Sequence, residues 1–156
     1  MLINLICVGS KMPSWVNSGY KEYARRLNRD VQIKLIELDL VKRSKSNSAE
    51  SLKAEEAKKI RQAIPKGNHV VVLDVKGSQW STEKLSQRLD HWLHSGKDIS
   101  LIIGGPDGID EQLIQAADEN WSLSKLTYPH PMVRIIIAEQ IYRAWSMLNN
   151  HPYHRV

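Results

Sequence analysis

Short apolar runs alternate with longer segments of helical spacing along this chain, and that alternation predicts most of its fold. Apolar runs at Leu2–Val8, Ile33–Leu38, His69–Val75 and Asp98–Ile103 predict four strands. Residues 120–128 predict a shorter strand followed by a loop. The third and fourth runs are rich in valine and isoleucine with little polar alternation, which is typical of strands buried on both faces of a parallel sheet.

The segments between these runs predict five helices. The first covers residues 13–28, and the fifth covers about 132–148. The second is predicted to begin with Asn47 and Glu50 in a capping arrangement and to end at Pro65. The third is predicted to lie between a Ser81 cap and Gly96. The fourth is short and is capped by Asp110. Gly77 and Ser78 are expected to turn the chain, and residues 41–47 to form a mobile loop.

Strands that alternate with helices predict an α/β fold, in which one domain over residues 1–156 contains a parallel sheet with helices on both faces. Such sheets bind ligands at the carboxyl ends of their strands. We therefore expect the functional loops to follow Val8, Val75, Ile103 and Leu123.

The loop after Ile103 has the sequence Gly-Gly-Pro-Asp-Gly, residues 104–108. Taken alone, it is compatible with a tight strand–helix turn and with a site where a ligand approaches the backbone closely. The phosphate-binding P-loop pattern G-x-x-x-x-G-K-[ST] does not occur in the sequence. A dinucleotide-binding G-x-G-x-x-G loop is disfavoured, because the first strand is followed only by Gly9-Ser10.

The fifth helix carries two adjacent apolar stripes, whereas a surface helix needs only one. Two stripes indicate burial on two sides, either within the fold or against a second subunit. Arg134 and Arg143 occupy the remaining face, where they could form a solvated or salt-bridged edge or contact a phosphate. The five tryptophans are expected to anchor the core or an interface rather than to stack on bases.

Composition narrows the class of protein. The chain has 156 residues, of which 42% are hydrophobic and 25% charged, as in a globular domain. Its single cysteine, Cys7, excludes an intrachain disulfide and a cysteine-based zinc site, and it fits a reducing, cytoplasmic setting. No apolar run approaches the roughly 18–20 residues of a membrane helix, and the first residues predict a strand rather than a signal peptide.

The net charge of +5 is compatible with a nucleic-acid partner. The candidates for phosphate contacts are the most concentrated basic residues, namely Arg25, Arg26, Lys42, Arg43 and Lys45. Histidines at 130, 151 and 154 raise a metal hypothesis, but no nearby carboxylate or cysteine completes a ligand set, so no metal is expected. The segment 149–156 could be a floppy end or could fold onto a site.

Several segments resemble one family closely. They are the opening LICVGSKMPSWV, SLIIGGPDG around residues 99–108, the W-S-L-S segment, and LTYPHPMVRIIIAEQIYRAWSMLNNHPYHR towards the end. The family is RlmH, the pseudouridine N3-methyltransferases of the large ribosomal subunit, in the SPOUT (α/β-knot) class. The resemblance covers the whole chain and is most specific in residues 99–155.

The resemblance implies a homodimer with a deep trefoil knot, in which S-adenosyl-L-methionine binds bent within the knot. The cofactor loops would correspond to Leu73, to Gly104 and Gly105, and to the run Leu123, Ser124, Lys125, Leu126, Thr127 and Tyr128. The implied substrate is a pseudouridine of 23S rRNA in the assembled ribosome, methylated at N3, with no membrane and no metal involved.

N3 of pseudouridine must lose a proton before it attacks the methyl group, so a base or a cation near it would assist. Tyr153, His154 and Arg155 are the catalytic candidates, carried either to the cofactor loops or to the partner's site. Two other hypotheses stay open: a non-catalytic ribosome-binding or RNA-binding module that retains the fold, and a nucleotide-binding α/β enzyme of another type.

Overall fold

The structure, a computed structural model, describes residues 1–27 and 30–155. Its centre is a five-stranded sheet in which every pair of neighbouring strands is parallel. In chain order the strands are β1 (Leu2–Val8), β2 (Gln32–Leu38), β3 (His69–Gln79), β4 (Ile99–Ile103) and β5 (Glu119–Ser122), and their order across the sheet is β2-β1-β4-β3-β5. The predicted parallel α/β sheet is therefore confirmed.

Helices cover both faces of the sheet. They are α1 (Ser14–Ala24), α2 (Ala49–Ala63), α3 (Thr82–Ser95), α4 (Glu111–Ala116) and α5 (His130–Leu148), and a short 3₁₀ helix follows at Pro152–Arg155. Side chains of α1, α3 and α5 share one apolar core, whereas those of α2 and α4 share another with the opposite face. Because β1 and β4 lie inside the sheet between these layers, nearly all their residues are fully buried.

Several predicted boundaries differ from the structure, among them one terminus of each of three helices. The first helix ends at Ala24, whereas the prediction extended it to residue 28, which lies outside the described residues. Ser48, not Asn47, caps α2, because its hydroxyl accepts a hydrogen bond from the Ser51 N–H at 3.1 Å. The fifth helix begins at His130, directly after the N-capping Pro129, rather than at about 132.

The predicted turn at Gly77 and Ser78 is wrong. Strand β3 continues to Gln79, and Trp121 of β5 is the register partner of both Leu73 and Ser78. The intervening residues 74–77 therefore bulge out of the strand pair. Gly77 is required there because a Cβ at this position would lie 2.8 Å from the backbone carbon of Trp121.

Helix α5 lies between α1 and α3, which accounts for much of its doubly apolar surface within one chain. Arg134 is fully buried rather than placed on a solvated edge. Its guanidinium donates to the Glu37 carboxylate at 2.7 Å and to the Gly9 carbonyl at 2.6 Å. It therefore ties α5 to the carboxyl ends of β1 and β2 and is not available to a phosphate. The knot threading is not tested by these contacts and stays a prediction.

Candidate cofactor-binding site

A cavity of about 480 Å³ opens where three neighbouring strands end. Leu73 at the end of the regular part of β3, Ile103 of β4 and Ser122 of β5 form its floor. Its position at the carboxyl edge of a parallel sheet is the usual one for ligands in such folds, and its volume is within the usual range of small-molecule sites, about 300–1,000 Å³.

The Gly-Gly-Pro-Asp-Gly loop forms one wall. The Gly108 N–H donates to the Gly105 carbonyl at 3.0 Å and closes the turn. A Cβ on Gly104 would lie 2.3 Å from Cγ1 of Ile109, and one on Gly105 would lie 2.8 Å from the Glu56 carboxylate. Both glycines also line the cavity, so this loop is a tight turn and a cavity wall at once.

Glu56 supports the loop from the side of α2. Its side chain is buried, and burial together with the nearby Asp107 carboxylate raises its pKa above the ordinary range. The Arg43 guanidinium donates to Asp107 at 2.6 Å and so brings the basic loop of residues 41–47 against the turn.

Residues 123–128 form the opposite wall. This segment leaves β5 at the sheet edge and leads to His130, whose imidazole contacts the Val8 carbonyl at 3.1 Å at the end of β1. The Ser124 hydroxyl accepts the Leu126 N–H at 3.0 Å and fixes a turn within the segment. Because β1 is separated from β5 by two strands, the connection passes the carboxyl ends of β4 and β3.

The cavity has an apolar rim that is exposed to solvent. Leu126 is 70% exposed and Val75 is 61% exposed, and both line the cavity. Large side chains exposed around a concave site are a typical mark of a binding surface. The rim is therefore suited to covering a flat apolar ligand group such as a purine.

The electrostatics of the cavity favour a cationic ligand over a phosphorylated one. Among the described residues that line it, Asp74 is the only aspartate, glutamate, lysine or arginine. His130 also lines it, but burial lowers the pKa of His130 and keeps the ring neutral. Its Nε2 faces a carbonyl that can only accept, so that nitrogen carries the proton. A phosphate would meet a carboxylate here without any lysine or arginine.

The structure brings together most of the residues that the sequence associated with the cofactor. Eight of them line the cavity, while Lys125 belongs to the same segment but does not line it. The eight are Leu73, Gly104, Gly105, Leu123, Ser124, Leu126, Thr127 and Tyr128.

The lining residues that sequence reasoning did not assign to the cofactor include Asp74, Val75, Trp121 and His130. The first two belong to the bulge of β3, which follows from pairing with β5 rather than from a local pattern. A carboxylate near the end of an apolar strand, at the carboxyl edge of the sheet, was the signal available for Asp74.

The catalytic candidates Tyr153, His154 and Arg155 do not line this cavity within the chain. The segment folds back along α5, and the Tyr153 hydroxyl donates to the Glu139 carboxylate at 2.9 Å. Burial, and then the Glu139 carboxylate, raise the pKa of Tyr153, so the phenol stays protonated. The His154 Nδ1 is buried without a hydrogen-bond partner among the described residues.

The five basic residues do not form one surface. Arg25 and Arg26 both pair with Glu22, and Arg26 also lies over the ring of Tyr153 at 5.9 Å. The other three belong to the loop beside the cavity, where Arg43 is held by Asp107 and Lys42 and Lys45 are exposed.

Metal ions and membranes are the two remaining classes of partner. Within residues 1–27 and 30–155, no group of three or more histidine, cysteine, aspartate or glutamate side chains is arranged to hold a metal ion. Over the same residues, no helix has the length and apolar character needed to cross a bilayer.

Comparisons with known proteins agree with this geometry. A family model described as "Predicted SPOUT methyltransferase" matches residues 1–154. A protein of Hydrogenovibrio crunogenus named ribosomal RNA large subunit methyltransferase H is 58% identical over 155 residues, which are 99% of this chain and 99% of that protein. The protein of the same name from Methylococcus capsulatus is 51% identical over 155 residues, which are 99% of this chain and 100% of that protein.

Among solved structures, that of a probable methylase family protein from Haemophilus influenzae Rd KW20 superposes with a TM-score of 0.55. The superposition covers 97% of this chain and 69% of the Haemophilus influenzae chain at 10% sequence identity, so it bears on the fold alone. The family model and the two relatives cover essentially the whole chain, and they confirm the resemblance found in the sequence: the chain belongs to the SPOUT methyltransferase family and, within it, to the group named ribosomal RNA large subunit methyltransferase H.

Proposed function

We propose that this chain transfers a methyl group from S-adenosyl-L-methionine to N3 of a pseudouridine in the 23S rRNA of the assembled ribosome. The observation that carries the proposal is the cavity at the carboxyl edge, with its apolar rim and its single carboxylate. A dinucleotide or nucleoside triphosphate would require positive donors at that place, so a nucleotide-binding enzyme of another type fits less well.

The residues of the cavity fit this cofactor. Leu73, Leu123 and Leu126 would pack against the adenine ring, and Gly104 with Gly105 would let the ligand approach the backbone. The Asp74 carboxylate would attract the positive charge of the ligand. When bound, the cofactor supplies an electrophilic methyl group on a sulfonium centre, and the protein's contribution is binding and orientation.

The acceptor nitrogen must be deprotonated and oriented, and within one chain the candidate side chains lie away from the cofactor cavity. We therefore place Tyr153, His154 and Arg155 of one subunit at the site of the other subunit of a homodimer. The His154 imidazole is suited to accept the N3 proton, and the Arg155 guanidinium to stabilise the resulting anion or to bind a phosphate. Burial of part of the α5 surface left by α1 and α3 would form the dimer contact.

The loop of residues 41–47 is the part of the basic set that lies on the cofactor side. Lys42 and Lys45 are exposed there and could contact rRNA phosphates without reading sequence. Such contacts give affinity that falls with salt, as expected for a protein that reaches its target through the surrounding ribosome.

The test is methyl transfer from labelled S-adenosyl-L-methionine to whole ribosomes, followed by digestion and identification of the nucleoside. The expected product is N3-methylpseudouridine in 23S rRNA. Binding of both cofactor and ribosome without any transfer would overturn the proposal and favour the non-catalytic module instead.

A further inference from the structure

A second cavity, of about 320 Å³, lies next to the cofactor cavity, between the start of α3 and the middle of α5. Trp121, Leu123 and Tyr128 line both cavities, so the two are separated only by a shared wall. A group bound in the second cavity would therefore lie beside a group bound in the first.

The second cavity is suited to an uncharged ligand. No lysine, arginine, aspartate or glutamate lines it among the described residues. The start of α3 borders this cavity, and an acidic side chain already lies there. The backbone N–H of Glu83 and the Ser81 hydroxyl lower the pKa of the Glu83 carboxyl, so a carboxylate occupies the place an anionic ligand would take.

One wall of the cavity is flat and aromatic. The indole rings of Trp80 and Trp121 are stacked, with centroids 4.9 Å apart and planes tilted by only 11°. Aromatic side chains commonly line the sites that hold unpaired RNA bases. Trp121 is only 3% exposed, and its indole N–H has no hydrogen-bond partner in the described part of the chain. A ligand with a carbonyl oxygen would satisfy that donor.

Gln140 presents an acceptor in a fixed orientation. Its Nε2 donates to the Glu139 carboxylate at 2.6 Å, and because a carboxylate can only accept, the amide cannot be reversed. Its Oε1 is consequently turned towards Thr82, whose hydroxyl is 3.4 Å away, a long contact that a better donor would displace. Both Thr82 and Gln140 line the cavity.

Glu139 is itself held in place, which keeps Gln140 in this orientation. Arg143 donates to Glu139 through Nε at 2.9 Å and Nη2 at 2.6 Å, and the Tyr153 hydroxyl donates at 2.9 Å. The segment after α5 thus reaches the second cavity through one carboxylate. Tyr153 is in this respect a positioning residue.

We propose that the second cavity receives the target base and that the Gln140 Oε1 accepts the N1–H of pseudouridine, which makes Gln140 the residue that distinguishes pseudouridine from uridine. The inference rests on the proposed function. In pseudouridine the ribose is attached through carbon, so N1 carries a hydrogen; in uridine the ribose occupies N1 and no such donor exists. N1 and N3 flank the same carbonyl group, so N1–H can face Gln140 while N3 faces the wall shared with the cofactor.

The experiment compares two ribosome substrates that differ only in whether the target nucleotide is pseudouridine or uridine. We expect the wild-type protein to prefer pseudouridine in kcat/KM by about 10²-fold or more, because a site built to bond an N–H rejects an analogue that lacks it. The Gln140→Leu variant should lose about that factor on pseudouridine and little on uridine, so that the preference approaches one.

The matched control is Gln87→Leu, the same change at an exposed position of α3, which should keep both rates. Calorimetry with S-adenosyl-L-methionine should give wild-type affinity for both variants. If Gln140→Leu does not fold, Gln140→Asn withdraws the same amide from the cavity and should also reduce the preference.

Three results would overturn the inference: a wild-type protein without preference, a Gln140 variant that binds cofactor and keeps the full preference, or a variant whose only defect is weaker dimerisation. The last would mean that a second subunit fills the cavity. Failure of the wild-type protein to methylate either substrate would instead contradict the proposed function.

Discussion

The two ends of the sheet differ in how their charged groups are paired and in how far their apolar groups are exposed. At the amino end, the Glu119 carboxylate accepts from His69 at 2.6 Å and from Trp92 at 2.8 Å, and it pairs with Arg88 at 2.6 Å. At the carboxyl end, Leu126 and Val75 are exposed around the cofactor cavity. Paired charges at the first end are suited to stabilising the fold, whereas exposed apolar side chains around a concave site are typical of a ligand-binding surface.

The largest expected effect comes from closing the cofactor loop. In Gly104→Val, the new side chain would collide with Ile109, displace the turn and weaken binding of S-adenosyl-L-methionine by at least about 100-fold in calorimetry. Gly96→Ala is the control at the amino end, where φ is +69° and a Cβ meets nothing within 4 Å. It should cost about 1 kcal/mol of stability and leave the affinity unchanged. Normal affinity in Gly104→Val would contradict the site.

Removal of residues 153–156 should reduce methyl transfer by about 10²–10⁴-fold, as expected for loss of positioned catalytic groups. The affinity for the cofactor should be nearly unchanged, because none of the described residues removed lines the cofactor cavity. The single variants His154→Ala and Arg155→Ala then separate the roles, since only loss of the base should remove the acidic limb of the pH–rate profile. Full turnover by the truncated protein would show that the segment is an ordinary terminus.

Glu119→Gln should destabilise the protein without affecting the cofactor site. The variant leaves Arg88 without its charge partner, and a loss of about 2 kcal/mol is expected, below the 3–5 kcal/mol of a fully buried pair. Chemical denaturation measures this loss, and calorimetry with the cofactor is the control. A variant as stable as the wild-type protein would show that the amino end does not carry the stability assigned to it.

The same residue gives a pH dependence of defined sign. Burial acts to raise the pKa of Glu119, but hydrogen bonds from Arg88, Trp92 and His69 outweigh it and hold the pKa below the ordinary value of 4.5. The stabilisation is therefore present above about pH 4.5 and is lost as the pH falls through the lowered pKa. The wild-type protein should lose more free energy of unfolding in that acid range than Glu119→Gln does.

The smallest effect concerns Cys7, which lies in the core near the carboxyl end of β1. It is fully buried, and burial raises its pKa to about 12. Iodoacetamide at pH 8 should consequently leave the folded protein unmodified and label it only after denaturation. Labelling of the native protein at the denatured rate would mean that β1 is not the buried strand described.

The sequence was sufficient where a local pattern determines the structure. Strand β1 has the predicted bounds of Leu2–Val8, because a strand buried on both faces requires an uninterrupted apolar run. The Gly-Gly-Pro-Asp-Gly loop was found because its turn chemistry is local. Both signals are contained within a few consecutive residues.

Features that depend on distant partners were not predictable from local patterns. The bulge that places Asp74 in the cavity exists because Trp121 pairs twice with β3. Burial of Arg134 depends on Glu37, which is 97 positions earlier in the chain. Periodicity identified α5 as doubly apolar, but only the fold shows that α1 and α3 cover two of its sides.

The most direct test of the difference between the two ends is backbone amide NMR during titration with S-adenosylhomocysteine. Resonances of residues 73–75, 104–109 and 121–128 should shift, while those around His69, Gly96 and Glu119 should stay in place. Shifts concentrated at the amino end, or none at saturating ligand, would contradict the assignment of the cofactor to the carboxyl edge.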